Sequence, residues 1–284
     1  MNVILALLRH YASFEIALIV SVPRIYAFMT SSRLFSSASI PALPRTGAIL
    51  SLTLMVVPVN MGFAERFDWS VGSYLLLFAK EVAIGVMLGY FVAWIFTVMQ
   101  SVGSLIDNQR GASIASSIDP LQGSDSTPLG NVLSLVFSTY IFATAAVLQV
   151  LGLLFASFKI WPVSRPAPLL SSQFPVLILS VFDYAMRLSF DIAAPVIAVM
   201  FLAEFALAMV SRFAPQVQVF VLAMPIKSLL AIMMLTFYSL VLFPYANERL
   251  LSIGGVVDRF YQILSSGQTL PHVARPGGPA GATP

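Results

Sequence analysis

The chain has no cysteine and only two histidines, His10 and His272, near its opposite ends. That excludes disulfides, thiolate nucleophiles and Cys-ligated metals, and leaves no histidine cluster to assemble. Charge is also scarce. Asp, Glu, Lys and Arg make up 10% of the 284 residues, against about 25% in an ordinary soluble domain. The net charge of +3 is dispersed, with no Lys/Arg-rich run, and argues against a nucleic-acid partner. No HExxH motif or phosphate-binding glycine loop occurs, and no nucleophile–base–orienter set can be drawn. The sequence therefore predicts no enzyme, no cofactor and no metal.

What the chain does have is apolar length, since 58% of its residues are hydrophobic. Residues 46–64, 82–106, 126–158 and 228–247 contain no Asp, Glu, Lys or Arg. A bilayer crossing needs about 20 apolar residues in a helix. The runs are continuous rather than alternating, so they read as helices and not as barrel strands. The expectation is an all-α, polytopic helical membrane protein of six to eight segments. Residues 1–264 form one membrane domain, and residues 265–284, rich in Pro and Gly, form a disordered tail.

The first membrane segment is expected at 12–30, with no cleavable leader, because residues 1–8 lack a preceding basic residue. A loop at 31–45 holds Pro41 and Pro44. Segments follow at 46–61 and from Val71 past Ser101, the latter carrying Gly85 and Gly89 at a spacing that lets helices approach closely. The polar stretch 107–128 reads as a loop. The run 129–158 exceeds one bilayer span, so it is tilted, bent or divided, with Gly130 and Gly152 as candidate bends. Segments at 169–188 and 196–212 are separated by Pro195. Residues 213–226, with Pro215 and Pro225, form a broken or re-entrant element. A last span covers 228–245, and 247–264 is a candidate surface helix. Arg24, Arg33 and Arg45, together with Arg249, Arg259 and Arg275, assign the 31–45 loop and the tail to the cytoplasmic side.

The breaks carry the candidate functional residues. Asp107 and Arg110 are three apart and can pair on one helical turn, while Gln109 and Gly111 lie beside them. The group is either an interfacial anchor or a polar lining or subunit contact. Glu204 sits among Phe201, Leu202, Phe205 and Leu207, and an unpaired carboxylate there is costly. Arg212 is its nearest partner in sequence, and Pro215, Gln216 and Lys227 follow. Asp183, Arg187 and Asp191 have the spacing of a ladder of ion pairs on a solvated face.

Three segments carry a resemblance: GSLIDNQRGASIASSIDPLQGSDSTPLG, then FKIWPV, then AAPVIAVMFLAEFALAMVSRFAPQVQVFVLAMPIKS. Together they closely resemble the T subunit of the bacterial type III secretion export apparatus, the SctT family, homologous to the flagellar FliR proteins. The likeness covers roughly residues 10–255. It implies a non-enzymatic subunit of the inner-membrane export gate through which unfolded proteins are translocated. It also implies Pro-broken helical hairpins, like a fusion of R-like and S-like gate subunits, partly lifted from the bilayer plane. The implied partners are R and S subunits around one T copy, other export apparatus membrane subunits, the secreted chains in transit and membrane lipid. On this resemblance Gln109, Arg110, Gly111, Arg212, Pro215, Gln216 and Lys227 belong to subunit contacts and the polar gate. The alternative reading is a small-solute secondary transporter, which would be marked by matching broken halves. No such halves are found.

Overall fold

The computed structural model describes residues 2–34, 40–64, 70–111, 127–144, 146–165, 174–213 and 219–251. Among these, all regular structure is helical. The helices are α1 (Asn2–Ser31), α2 (Ala42–Ala64), α3 (Val71–Gln109), α4 (Pro128–Ala143), α5 (Ala146–Ile160), α6 (Phe174–Phe213) and α7 (Val219–Leu251). Five of them are long and apolar enough to cross a membrane, or six crossings if α4 and α5 form one broken span. The polytopic, all-helical expectation holds.

Helix α3 is the axis of the fold. Its uncharged run makes 82–106 hydrophobic all round, and the mid-helix residues Leu88, Ile95, Phe96, Met99 and Val102 are enclosed by neighbours. Gly85 and Gly89 let α1 lie directly against it. A Cβ on Gly89 would stand 2.7 Å from the Phe28 carbonyl oxygen and would collide with Ser31. On Gly85 it would collide with the Arg24 carbonyl. The pairings 24 with 85 and 28 with 89 rise together, so α1 and α3 run parallel. This glycine pair packs helices within the subunit. Helix α2 folds back on α1, tied by Asn60 Nδ2 donating to Ser21 Oγ at 2.8 Å.

Helix α4 runs antiparallel to α3. Its closest approach is at Gly103 and Gly130, where a Cβ on Gly103 would stand 2.7 Å from the Leu129 carbonyl carbon. Further along, Phe137 meets Phe96 edge-on with centroids 5.7 Å apart. Helices α6 and α7 form a second hairpin whose spans are only 22% buried. It joins the rest through Trp94 against Tyr184 and through Phe137 and Tyr140 against Phe243.

Several boundaries differ from expectation, each for a physical reason. Helix α1 begins at Asn2, well before residue 12, because residues 3–8 are apolar and contain no breaker. Helix α2 starts inside the expected 31–45 loop, since Pro44 lies in its first turn, where no intrahelical N–H is needed. The 129–158 run does divide, but at Thr144 and not at a glycine: α4 and α5 meet at 82°. The Thr144 hydroxyl donates to the Tyr140 carbonyl at 2.9 Å, and its own backbone is extended. Gly130 is instead a packing contact, and Gly152 has open space around it. Pro195 does not end a helix. Helix α6 continues through it for 40 residues, and Pro225 and Pro244 are likewise inside α7. A membrane helix loses one backbone bond at proline and tolerates it. Of the element expected at 213–226, residues 219–226 are helical, and 214–218 lie outside the described residues. The 264/265 boundary, the tail and most of the 247–264 helix also lie outside them.

At 1.5 Å per residue, α3 is about 58 Å long and α6 about 60 Å. Both are roughly twice the hydrocarbon thickness of about 30 Å. Neither helix is a simple perpendicular span.

Candidate functional site

A buried ionic cluster lies toward one end of α3. Arg24, next to Pro23 on α1, has a fully enclosed side chain. Its Nε stands 2.6 Å from Glu81 Oε2, and its Nη2 donates to the Trp161 carbonyl at 3.0 Å. Nη1 donates to Ser157 Oγ at 3.3 Å, and the guanidinium lies over the Phe158 ring at 4.2 Å. Lys80 completes the set. Its Nζ is 3.0 Å from Glu81 Oε1 and donates to the carbonyls of Val163 at 2.6 Å and Arg165 at 2.9 Å. Two cations thus share one carboxylate. The surplus positive charge faces carbonyls at and beyond the C-terminal end of α5, the negative pole of that helix. Among the described residues the two cations have several partners each, while Glu81 has only the two cations, and its Oε1 meets Lys80 as a charge contact without a hydrogen bond. The cluster joins α1, α3 and the far end of α5 in one node. The sequence reading missed it as a site, although Arg24 inside an apolar run and the Lys80-Glu81 pair bordering 82–106 were its signals.

About 39 Å further along α3 lies the second polar group. Asp107 is 1% exposed and accepts from Arg110, with Nη2 at 2.6 Å from Oδ1. The expected three-residue pairing is present. Asp107 Oδ2 also accepts the Leu129 N–H at 2.9 Å. Thr127, the N-cap of α4, makes no side-chain cap bond, so a carboxylate from the neighbouring helix supplies it. Gly111 has φ 86°, and its N–H donates to the Asn108 carbonyl at 3.1 Å. It terminates α3 in a left-handed conformation that favours glycine. Gln109 is half-buried beside them. At the same end, Arg33 Nη1 donates to Gln100 Oε1 at 2.7 Å, and Gln100 reaches Asn131 at 3.5 Å.

The α6–α7 hairpin corrects one expectation. Glu204 pairs with Lys227, at 2.7 Å, and not with Arg212. Residues 204 and 212 are about 12 Å apart along one helix, too far for contact, while the hairpin brings Lys227 directly across. The Glu204 side chain is 50% exposed and that of Lys227 10%. Arg212 is exposed near the end of α6. Pro215 and Gln216 lie outside the described residues. The expected ladder has one rung: Arg187 Nη2 is 2.9 Å from Asp183 Oδ2 on an exposed face.

Among the described residues no His, Asp and Glu group has metal-holding geometry. The geometry offers helix-tying ion pairs, a capped helix start and two polar ends on an apolar body.

Comparison with known proteins agrees with this architecture. The family described as "Bacterial export proteins, family 1" matches residues 16–253. The chain is 37% identical over 222 residues to the Yop proteins translocation protein T of Yersinia pestis, covering 78% of this chain and 84% of that protein. It is 32% identical over 204 residues to the Surface presentation of antigens protein SpaR of Salmonella typhimurium strain LT2, covering 72% and 75%. It is 30% identical over 218 residues to the Flagellar biosynthetic protein FliR of Bacillus subtilis strain 168, covering 75% and 82%.

Proposed function

The chain belongs to the bacterial export proteins of family 1, and on that premise we propose that it is the single-copy T subunit of a type III secretion export gate, assembled with R and S subunits. It is a multi-pass inner-membrane subunit of a secretion export apparatus. The observation that carries the finer reading is the family match over 16–253, with identity reaching 37% to a translocation protein T.

Two physical features support partners around it. Helices α3 and α6 are too long for a perpendicular crossing, so parts of both need covering outside the hydrocarbon. The α6–α7 hairpin exposes Phe201, Leu202, Phe205, Phe237 and Leu240, each more than half exposed. A large apolar surface of this kind is covered by lipid or by a partner. Helical-hairpin neighbours of the same character would bury it.

In this reading the subunit performs no chemistry. Unfolded polypeptides pass beside it, and its residues shape and hold the passage. Gln109, Arg110 and Arg212 serve as contacts to neighbouring subunits or to the gate, together with Pro215 and Gln216. Asp107, Gly111, Glu204 and Lys227 act one step back: they fix the helix ends and the hairpin that present those contacts. The family membership disfavours the solute-transporter alternative.

The test is genetic. Deleting the chain in its native host should abolish secretion through the apparatus, and the wild-type chain should restore it. Complementation with Arg110→Ala should change secretion while the complex still assembles. Normal secretion in the deletion strain would overturn the reading.

A further inference from the structure

Among the described residues, Arg33 is the only one besides glycine with a positive φ, at 59°. It stands just past the end of α1, which closes with the Ser32 N–H donating to the Phe28 carbonyl at 2.9 Å. A left-handed residue after a helix end is most often glycine, which has no Cβ to clash. The turn itself has a packing purpose, since it sends Leu34 into the core, where it is fully enclosed. Glycine would make the same turn at lower cost. A residue held in a costly backbone conformation points to the use of its side chain.

That side chain crosses to the neighbouring helices. Arg33 Nη1 donates to Gln100 Oε1 at 2.7 Å. Gln100 stands on the seam between α3 and α4: a Cβ on Gly130 would be 2.7 Å from its carbonyl oxygen. Its Nε2 reaches Asn131 Oδ1, in the first turn of α4, at 3.5 Å. One exposed guanidinium thus ties the end of α1 to the place where α4 starts. The start of α4 is linked in turn to Arg110, because Asp107 accepts from both the Leu129 N–H and the Arg110 guanidinium. The contact of Gly103 with Gly130 and the Asp107 bonds are packed inside the seam, whereas the Arg33 bond lies on its surface. It can open without unpacking the core.

We propose that Arg33 is a positioning residue. It clasps the end of α1 to the α3–α4 seam, and through Asp107 it fixes the frame in which Gln109 and Arg110 meet neighbouring subunits or the gate. Its consequence for secretion rests on the export-gate reading, while the clasp itself is measured without it. A hydrogen bond of this kind biases its local equilibrium by about twofold to tenfold. That is enough to set a preferred arrangement and small enough to open.

The test separates the backbone of Arg33 from its side chain. Arg33→Gly relieves the turn and removes the clasp, whereas Arg33→Ala keeps the strained turn and removes the clasp. The full chain with glycine should resist unfolding better than the chain with alanine, by about fivefold or more in the equilibrium. Both should nevertheless lower secretion alike in a host lacking the native chain, with the complex still assembled. Gln100→Ala should lower secretion too, and adding it to Arg33→Gly should lower it no further. The chain has no cysteine, so spin labels on Thr30→Cys and Leu135→Cys, both exposed positions, report a single α1–α4 distance in the purified complex. Arg33→Gly and Gln100→Ala should each broaden that distance to the same extent. Normal secretion with Arg33→Gly, where deletion of the chain abolishes it, would overturn the proposal and leave Arg33 as a helix end. An unchanged distance in Arg33→Gly would overturn it too, as would losses from Arg33→Gly and Gln100→Ala that simply add. Normal secretion in the deletion strain itself would count against the export-gate reading, and the distance would still decide whether the clasp exists.

Discussion

Removing Glu81 should harm the protein more than removing Arg24, although the two are partners in one ion pair. Arg24→Ala deletes a guanidinium that contacts Glu81 at 2.6 Å, Ser157 Oγ and the Trp161 carbonyl. The Glu81 carboxylate it leaves behind still has Lys80 at 3.0 Å. Glu81→Ala instead leaves two enclosed cations with no counter-charge, only carbonyls, the Ser157 hydroxyl and the Phe158 ring. Breaking a buried pair costs about 3–5 kcal/mol. The expected loss is near the lower figure for Arg24→Ala and near the upper one for Glu81→Ala. Either is a large share of a total stability of about 5–15 kcal/mol. Because the residues act together, the double variant should lose less than the sum, by about 1–3 kcal/mol. The assay is SDS-induced unfolding of the purified chain in mild detergent, followed by circular dichroism, with membrane abundance as a second readout. Losses no larger than the average interhelical hydrogen bond in a membrane, about 0.6 kcal/mol, or losses that simply add, would refute the coupled cluster.

Other outcomes follow from single contacts. Gly89→Ala should separate α1 from α3 and lower the amount of folded chain in membranes, whereas Gly152→Ala, with nothing within 4 Å, should be neutral or slightly stabilising. Gly111→Ala forces a side chain into a left-handed turn and should cost about 1–2 kcal/mol in the same unfolding assay. Asp107→Ala removes the cap on Leu129 and should cost at least the ~1 kcal/mol of a lost N-cap, with exchange of the α4 first-turn amides accelerated. Glu204→Ala and Lys227→Ala should be non-additive, by no more than about 1 kcal/mol because Glu204 is half exposed. Glu204→Ala and Arg212→Ala should add.

The membrane class and the helical content were legible because hydrophobic length is written locally. So were the α3 run and the pairing of Asp107 with Arg110, three residues apart. Proline misled. Pro195 and Pro225 read as breaks, yet continuous helices carry both, while the real break at Thr144 falls in the bland stretch Ala143-Thr144-Ala145-Ala146. The buried Arg24 node was missed for a different reason: its charges were visible, but not that they meet. Its members come from positions 24, 80–81 and 157–165, and nothing in the chain states that α5 returns to that end of α3. Glu204 shows the same limit. Its cost was visible, but its partner Lys227 becomes a neighbour only when the hairpin closes.

The measurement that bears most directly on the central claim is a mild-detergent pull-down of the tagged chain from its native membranes, with mass spectrometry of the intact complex. The account predicts one copy of this chain together with several copies each of two small, hydrophobic helical-hairpin partners. A lone monomer or a homodimer would contradict it.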